Sequence, residues 1–236
     1  PAAKSYMMSR GMKEEKFINV PNGIALEEWN ENGILPEEHA SLLKRLRKED
    51  QFIVGYAGSH GIANSLNSLI AACHFLSNVS VVFIGDGPEK KDLIRQAREN
   101  KFNNVYFLHP VSKNNIPVLL KQFDALYVGF QKQSLLRFGM SPNKMFDYMM
   151  AEKPIIQAIH AGNNMVREYD CGIDVDPENP EAIAHGINQL KKMSSEQRAM
   201  LGRNGKAAVL AFHNYRVLAQ QFSSKYLEVK NSKTAK

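Results

Sequence analysis

From residue 51 to about 176 the chain repeats one arrangement: a short, nearly unbroken apolar run, a helical or polar segment, then another apolar run. The runs are "QFIVGYAG", "VSVVFIGDG", "NVYFLHPV", "ALYVGF", "KPIIQAI" and "CGIDVDP". An amphipathic stretch from Asn64 to Leu76 follows the first, and Pro88 opens a helix through "EKKDLIRQAREN" after the second. Strands alternating with helices imply βαβ units, a parallel sheet and helices on both its faces. Strands that are apolar throughout, rather than at every second residue, belong to a sheet buried on both sides. The expected fold class is α/β: a single doubly wound parallel sheet with a helical carboxy-terminal tail.

The two ends read differently. Residues 1–50 hold one expected strand, "KFINVPNG", a turn at Asn22–Gly23 and a charged helix through "PEEHASLLKRLRKED". They form an extension packed on a main domain at 51–193, and residues 194–236 continue as helices punctuated by Gly202 and Gly205. The 236 residues are enough for one large core. The opening "PAAKSYMMSRGM" lacks an initiator methionine, which suggests an excised piece of a longer chain.

Composition narrows the function classes. No apolar run reaches the roughly eighteen residues that span a bilayer, and no secretory signal opens the chain, so a cytoplasmic protein is expected. Cys73 and Cys171 lie far apart without ligand spacing, as buried thiols do. A net charge of +6 favours anionic partners. Nucleic acid is not among them, since arginines do not interleave with aromatics and no recognition motif is present. The basic "LLKRLRK" reads either as a solvated helix face or as a peripheral contact with an anionic membrane.

Ligands of open parallel sheets bind beyond the carboxyl ends of the strands, where the strand order reverses. The segments there are "GSHGIANS", "GDGPEK", "HPVSKNN", "GFQKQSLLRFGMSPNK" and "IHAGNN", an edge suited to an anion. Gly55, Gly58 and Gly61 fall at intervals of three, which departs from the dinucleotide fingerprint. They serve either a tight turn or a close approach of backbone to phosphate or sugar. His60, His109 and His160 each follow a strand without a companion ligand, so hydrogen bonding to a ligand or loop is expected and a metal is not. In "RFGMSPNKMFDYMMAEKPII", Ser141 is a suitable N-cap, Pro142 suits the first helical position, and Asn143 and Lys144 complete the first turn. Lysine at that end of a helix dipole is unfavourable unless an anion faces it. Asp147, one turn on among apolar neighbours, is placed to accept both hydroxyls of a ribose, with a plain ion pair to Lys144 as the alternative.

These residues, with "GYAGSHGIANSLNSLIAA", "FIGDGPEKKDL", "VYFLHPVSKNNIPVLLKQFDALYV" and "KFINVPNGIALEEW", resemble the carboxy-terminal half of group 1 (family 4) retaining glycosyltransferases. The branch they are most similar to comprises bacterial polysaccharide enzymes that use UDP-N-acetylhexosamine-type donors. The resemblance implies one Rossmann-like half of a two-domain GT-B enzyme, the half that binds the nucleotide sugar. The acceptor-binding amino-terminal domain would lie outside this chain. By position, Asp147 replaces the second glutamate of the family's paired-glutamate motif, and Gly139 stands where the first would contact the donor sugar. Ser141, Asn143 and Lys144 would hold the diphosphate, with Pro142 and Met140 in the same loop, and the base would lie against His109, Pro110 and Val111. Gly58, Ser59 and His60 would complete the site.

The Arg and Lys that many members carry after the first strand are absent, so Lys144, Arg137 and Lys132 would supply the charge, the first two catalytically. No cofactor or metal is implied, the UDP-sugar being the substrate. Glu152 stands where the family has a glycine at a helix end, and a mildly strained left-handed residue is expected there. The implied role is transfer of a sugar to a glycan or lipid-linked acceptor during synthesis of surface polysaccharide such as lipopolysaccharide or capsule. A non-catalytic nucleotide-sugar-binding subunit and a sugar-nucleotide epimerase-like domain are the alternatives.

Overall fold

The computed structural model describes residues 2–234. Six parallel strands form one sheet: β1 (Phe52–Ala57), β2 (Val79–Ile84), β3 (Val105–Leu108), β4 (Ala125–Gly129), β5 (Ile155–Ala158) and β6 (Gly172–Asp174). Their order is β3-β2-β1-β4-β5-β6, so the winding reverses between β1 and β4. All six expected strands are present, and β1, β2, β4 and β5 are buried at every residue, which explains their unbroken apolar runs.

Ten helices accompany the sheet among the described residues: α1 (Lys4–Ser9), α2 (Glu37–Lys48), α3 (Leu66–Ala72), α4 (Lys90–Glu99), α5 (Ile116–Leu120), α6 (Asn143–Met150), α7 (Met165–Glu168), α8 (Pro180–Lys192), α9 (Ser195–Phe212) and α10 (Tyr215–Thr234). Two apolar cores sit on opposite faces of the sheet. One gathers Leu43, Leu46, Phe123 and the buried side of α6; the other gathers Leu69, Ile70, Phe83 and the buried side of α8. Cys73 and Cys171 are buried free thiols, and burial pushes both up to about 12.

One local expectation needs correction. "KFINVPNG" is not a strand: after a 3-10 turn that ends at Lys16 it runs as loop, and the nearest pairing is one isolated bridge from Ile24, just past it, to Asn214. Phe17 and Ile18 are half-buried and Val20 is exposed, so the segment runs over the surface outside the six-stranded sheet. The basic helix α2 presents Lys44, Arg45, Arg47 and Lys48 to solvent, as one of the two readings of "LLKRLRK" expects, while its apolar side anchors it to the domain. Leu43 and Leu46 are buried, and Arg47 reaches Asp124 at 2.7 Å. Among the described residues, no helix is long and apolar enough to cross a membrane.

α6 is held at its end by α9. A Cβ at Gly202 would stand 2.1 Å from the Glu152 carbonyl oxygen, so only glycine permits this approach. Glu152 has φ +57, the left-handed conformation expected there, and its carboxylate pairs with Lys206 of α9.

Candidate functional site

α6 starts one residue later than expected. Pro142, with ψ 133, is its N-cap, and Asn143 is its first helical residue. Ser141 does not cap the helix because its polar groups are used elsewhere. Its Oγ accepts from the Asn22 N–H at 3.0 Å, and its carbonyl accepts from Asn22 Nδ2 at 2.7 Å. No side chain caps the first turn, which keeps the helix's positive end available to an anion. Below that turn Met145, Phe146, Tyr148, Met149 and Met150 are buried. Tyr148 bolts the helix to the end of β1: its hydroxyl accepts from the Ala57 N–H at 2.9 Å and donates to the Ala57 carbonyl at 3.2 Å.

Lys144 turns toward the β1 loop, at the point where the strand order reverses. Its Nζ donates to Tyr56 Oη at 2.7 Å and to Asn64 Oδ1 at 2.8 Å. The same ammonium lies 4.4 Å from the centre of the Tyr56 ring. An ammonium has three N–H donors, so one remains for a ligand. Burial lowers its pKa to about 8. No carboxylate neutralises it among the described residues, so the alternative of an ion pair with Asp147 does not hold.

Asp147 opens into a separate cavity of about 160 Å³ with Asn143, Trp29, Lys113, Ile116 and Tyr215. Burial raises its carboxyl to about 6, with Lys113 opposing the shift. The floor of that cavity comes partly from Gly23, Ile24 and Ala25, and Lys113 pairs across it with Glu28. Ile116 also lines a second, 230 Å³ cavity formed by Gly58, Ser59, Gly85, Asp86, Pro110 and Val111. The two cavities therefore adjoin. Gly58, Ser59, Pro110, Val111, Asn143 and Asp147 all line this composite cleft, and Lys144 Nζ would stand 3.4 Å from a Cβ at Gly58.

The glycine loops pack on one another. Gly85 has φ +137, and a Cβ there would stand 2.0 Å from the Gly58 carbonyl oxygen. This makes the β1 and β2 loops one double layer beneath the cleft. His60 departs from its expected role. Its ring is fully buried among Tyr56, Phe83 and Phe107, and neither ring nitrogen has a partner. Burial lowers its pKa to about 4 and holds it neutral, so it packs the loop rather than bonding a ligand. His109 is exposed, and its carbonyl accepts from His39 Nε2 at 2.8 Å.

Gly139 has φ +101, and the Asn163 side chain brackets the next residue by accepting from Met140 N at 2.8 Å and donating to its carbonyl at 3.0 Å. Arg137, His160 and Lys132 line a third cavity, at the ends of β4 and β5, that Lys144 does not line. Tyr56, Asn64, Asn22, Trp29 and Lys113 went unremarked in the sequence as site residues. Tyr56 is inside a strand and Trp29 in a surface segment, whereas Asn64 and Lys113 fall in the loops after β1 and β3 and Asn22 in the expected turn.

This arrangement, an uncapped helix start over a glycine double layer at the strand reversal, stands where doubly wound α/β domains hold their ligands. Residues 40–208 match the family model "Glycosyl transferases group 1", and the chain belongs to that family. Among solved structures it is similar to Anabaena HepE in complex with UDP and glucose, at 19% identity and TM-score 0.70 over 95% of this chain and 60% of HepE. A Rickettsia africae glycosyltransferase is similar at 13% identity and TM-score 0.73, over 97% of this chain and 61% of that one. Sucrose-phosphate synthase from Thermosynechococcus elongatus follows at 19% and 0.66, over 90% and 52%. The chain thus spans about 60% or less of these proteins, each of which resembles it in fold. No curated protein matches it significantly.

Proposed function

We infer that this chain is the donor-binding half of a retaining glycosyltransferase that takes a UDP-linked sugar. The observation that carries the reading is Lys144, a buried ammonium without a carboxylate partner, in the uncapped first turn of α6. The diphosphate lies against that turn and accepts from Lys144. The ribose hydroxyls donate to Asp147, and the base lies against the backbone at His109–Val111. The neighbouring HepE has been solved with UDP-glucose, which favours a uridine nucleotide.

In the assembled enzyme the bond from C1 to the diphosphate oxygen breaks and its electron pair leaves with the phosphate. The helix amides and Lys144 stabilise that growing charge through an oxocarbenium-like transition state. An acceptor hydroxyl held by the amino-terminal domain attacks C1 on the same face and passes its proton to the departing diphosphate oxygen, so configuration is retained. These groups neutralise the leaving group without a metal. The acceptor is a glycan or lipid-linked sugar of bacterial surface polysaccharide, and the enzyme works in the cytoplasm or at the inner membrane face.

Isothermal titration with UDP, UDP-glucose, GDP and NAD tests the reading. UDP and UDP-glucose should bind in preference to the others, and Asp147→Ala should weaken UDP roughly tenfold (~1.4 kcal/mol). Equal affinity of the wild type and this variant for UDP would sink the assignment.

A further inference from the structure

Across the strand reversal from the β1 and β2 loops, the ends of β4 and β5 enclose an open cavity of about 440 Å³. That size lies within the range of small-molecule sites, ~300–1,000 Å³. Three basic side chains line it, Lys132, Arg137 and His160, together with Gln133 and Ser134, and no carboxylate does.

Arg137 is pre-organised although exposed. Its guanidinium carbon lies 4.4 Å from the centre of the Phe138 ring, which itself packs 4.7 Å from Tyr6. Nη1 donates to the Ser134 carbonyl at 2.7 Å. A guanidinium has five N–H donors, so most of the fork is left to a ligand. Two carboxylates reach this region. Asp176 lies 3.3 Å from Lys132 Nζ, and Glu178 accepts from the Lys132 backbone N–H at 2.8 Å. Arg137 and His160 have no acidic partner among the described residues. The loop that carries Arg137 is fixed by the Gly162 N–H donating to Leu136 O at 2.9 Å, and by Asn163 around Met140.

The position relative to the phosphate cradle gives this cavity its meaning. Phe130, whose ring centre is 6.0 Å from Lys144 Nζ, precedes Lys132 by two residues on the loop after β4. Along the carboxyl edge the order is therefore the cleft lined by Asp147 and Val111, then Lys144, then the basic cavity. A ligand with its nucleoside in the first and its diphosphate at the second carries its sugar toward the third.

We propose that this cavity binds the carboxylate of an acidic sugar, and that the transferred sugar is a hexuronate. Guanidinium and carboxylate match as planar forks, so a charged sugar is selected over a neutral one through paired charge-assisted hydrogen bonds. The proposal rests on the donor-binding reading above.

Titration of the chain with UDP-glucuronate and with UDP-glucose tests it. The uronate should bind roughly tenfold tighter (~1.4 kcal/mol). Arg137→Gln should bring the ratio to within about twofold, and His160→Gln should lower it by less. A parallel titration of methyl glucuronide into the chain saturated with UDP-glucose, whose own sugar fills the donor position, separates the two sources of a sugar carboxylate. Binding there that Arg137→Gln abolishes keeps the acidic-sugar site but assigns it to the acceptor. UDP binding without uronate preference and without methyl glucuronide binding overturns the proposal alone. A chain that binds no UDP overturns the donor reading and this one with it. Circular dichroism melts verify that each variant is folded.

Discussion

Replacing Lys144 with methionine should stabilise the free chain and remove most of its affinity for UDP. Burial depresses the ammonium from 10.5 to about 8. At ~1.36 kcal/mol per pH unit, keeping that charge in the folded chain at neutral pH costs roughly 3 kcal/mol. Because the folded-state value is the lower one, the penalty is fully present below about pH 8 and fades as pH rises toward 10.5. Methionine preserves the length and apolar stem of the side chain. It deprives Asn64 Oδ1 of a donor, while the Tyr56 hydroxyl keeps its 2.6 Å bond to the Ser59 carbonyl. One lost bond at a part-buried acceptor costs about 1–2 kcal/mol. The net effect is a gain of ~1–2 kcal/mol, an upward Tm shift of roughly 2–8 °C for a domain of this size. Against this, the lost charge-assisted contact to phosphate should weaken UDP about 10- to 100-fold. Urea denaturation at neutral pH and near pH 10, with calorimetric titration of UDP, measures both effects. The stability gain should shrink at the higher pH. A variant destabilised by about 1 kcal/mol or more at neutral pH would refute the desolvation argument, and UDP affinity within about twofold of wild type would refute the phosphate role.

The same two groups set a pH profile. UDP-glucose carries its diphosphate as a diester, so its own phosphates do not titrate between Asp147 at about 6 and Lys144 at about 8. Affinity should be flat between those values. It should fall at lower pH as Asp147 takes a proton and at higher pH as Lys144 loses one, and Asp147→Asn should remove the acid limb; a single monotonic curve in the wild type would contradict this. Gly202→Ala places a methyl 2.1 Å from the Glu152 carbonyl oxygen, a backbone atom that cannot swing aside. It should cost about 1–3 kcal/mol in a urea melt, and an unchanged midpoint would mean that α9 moves freely over α6.

The sheet was legible because its signal is dense. Four of the six strands are buried at every residue and read as nearly unbroken apolar runs, and few other architectures bury strands on both faces. "KFINVPNG" reads as a strand from Phe17, Ile18 and Val20, but a short β-prone run becomes a strand only when a sheet edge pairs with it, and none does here. The start of α6 was placed one residue early because Ser141 has the chemistry of a cap. Its hydroxyl is taken by Asn22, 119 residues away in sequence, a contact that local pattern does not encode. His60 failed similarly. A histidine after a strand reads as polar, but Phe83 and Phe107 from two other strands enclose its ring. Lys144 and Asp147 stood out because each breaks a local rule of helix stability. Their actual surroundings, Tyr56 and Asn64 for one and Trp29 and Lys113 for the other, come from distant segments.

What unites the site is that α6 is held rigid everywhere except where it meets a ligand. Tyr148 fixes it to β1, and α9 approaches its far end, where a Cβ at Gly205 would lie 3.4 Å from Met149. Asn22 secures the loop that leads into it. Such supports oppose relaxation, so the helix cannot relieve its two desolvated charges by moving. Positions three residues apart on a helix stand ~5–6 Å from one another at Cβ. Phosphate beside Lys144 relieves the first cost, and hydroxyls beside Asp147 relieve the second. A free phosphate ion meets only the former, whereas a nucleoside diphosphate meets both with one molecule. In the proposed donor site, selection of nucleotide over inorganic phosphate would therefore follow from where the two charges sit, before any contact with the base is counted.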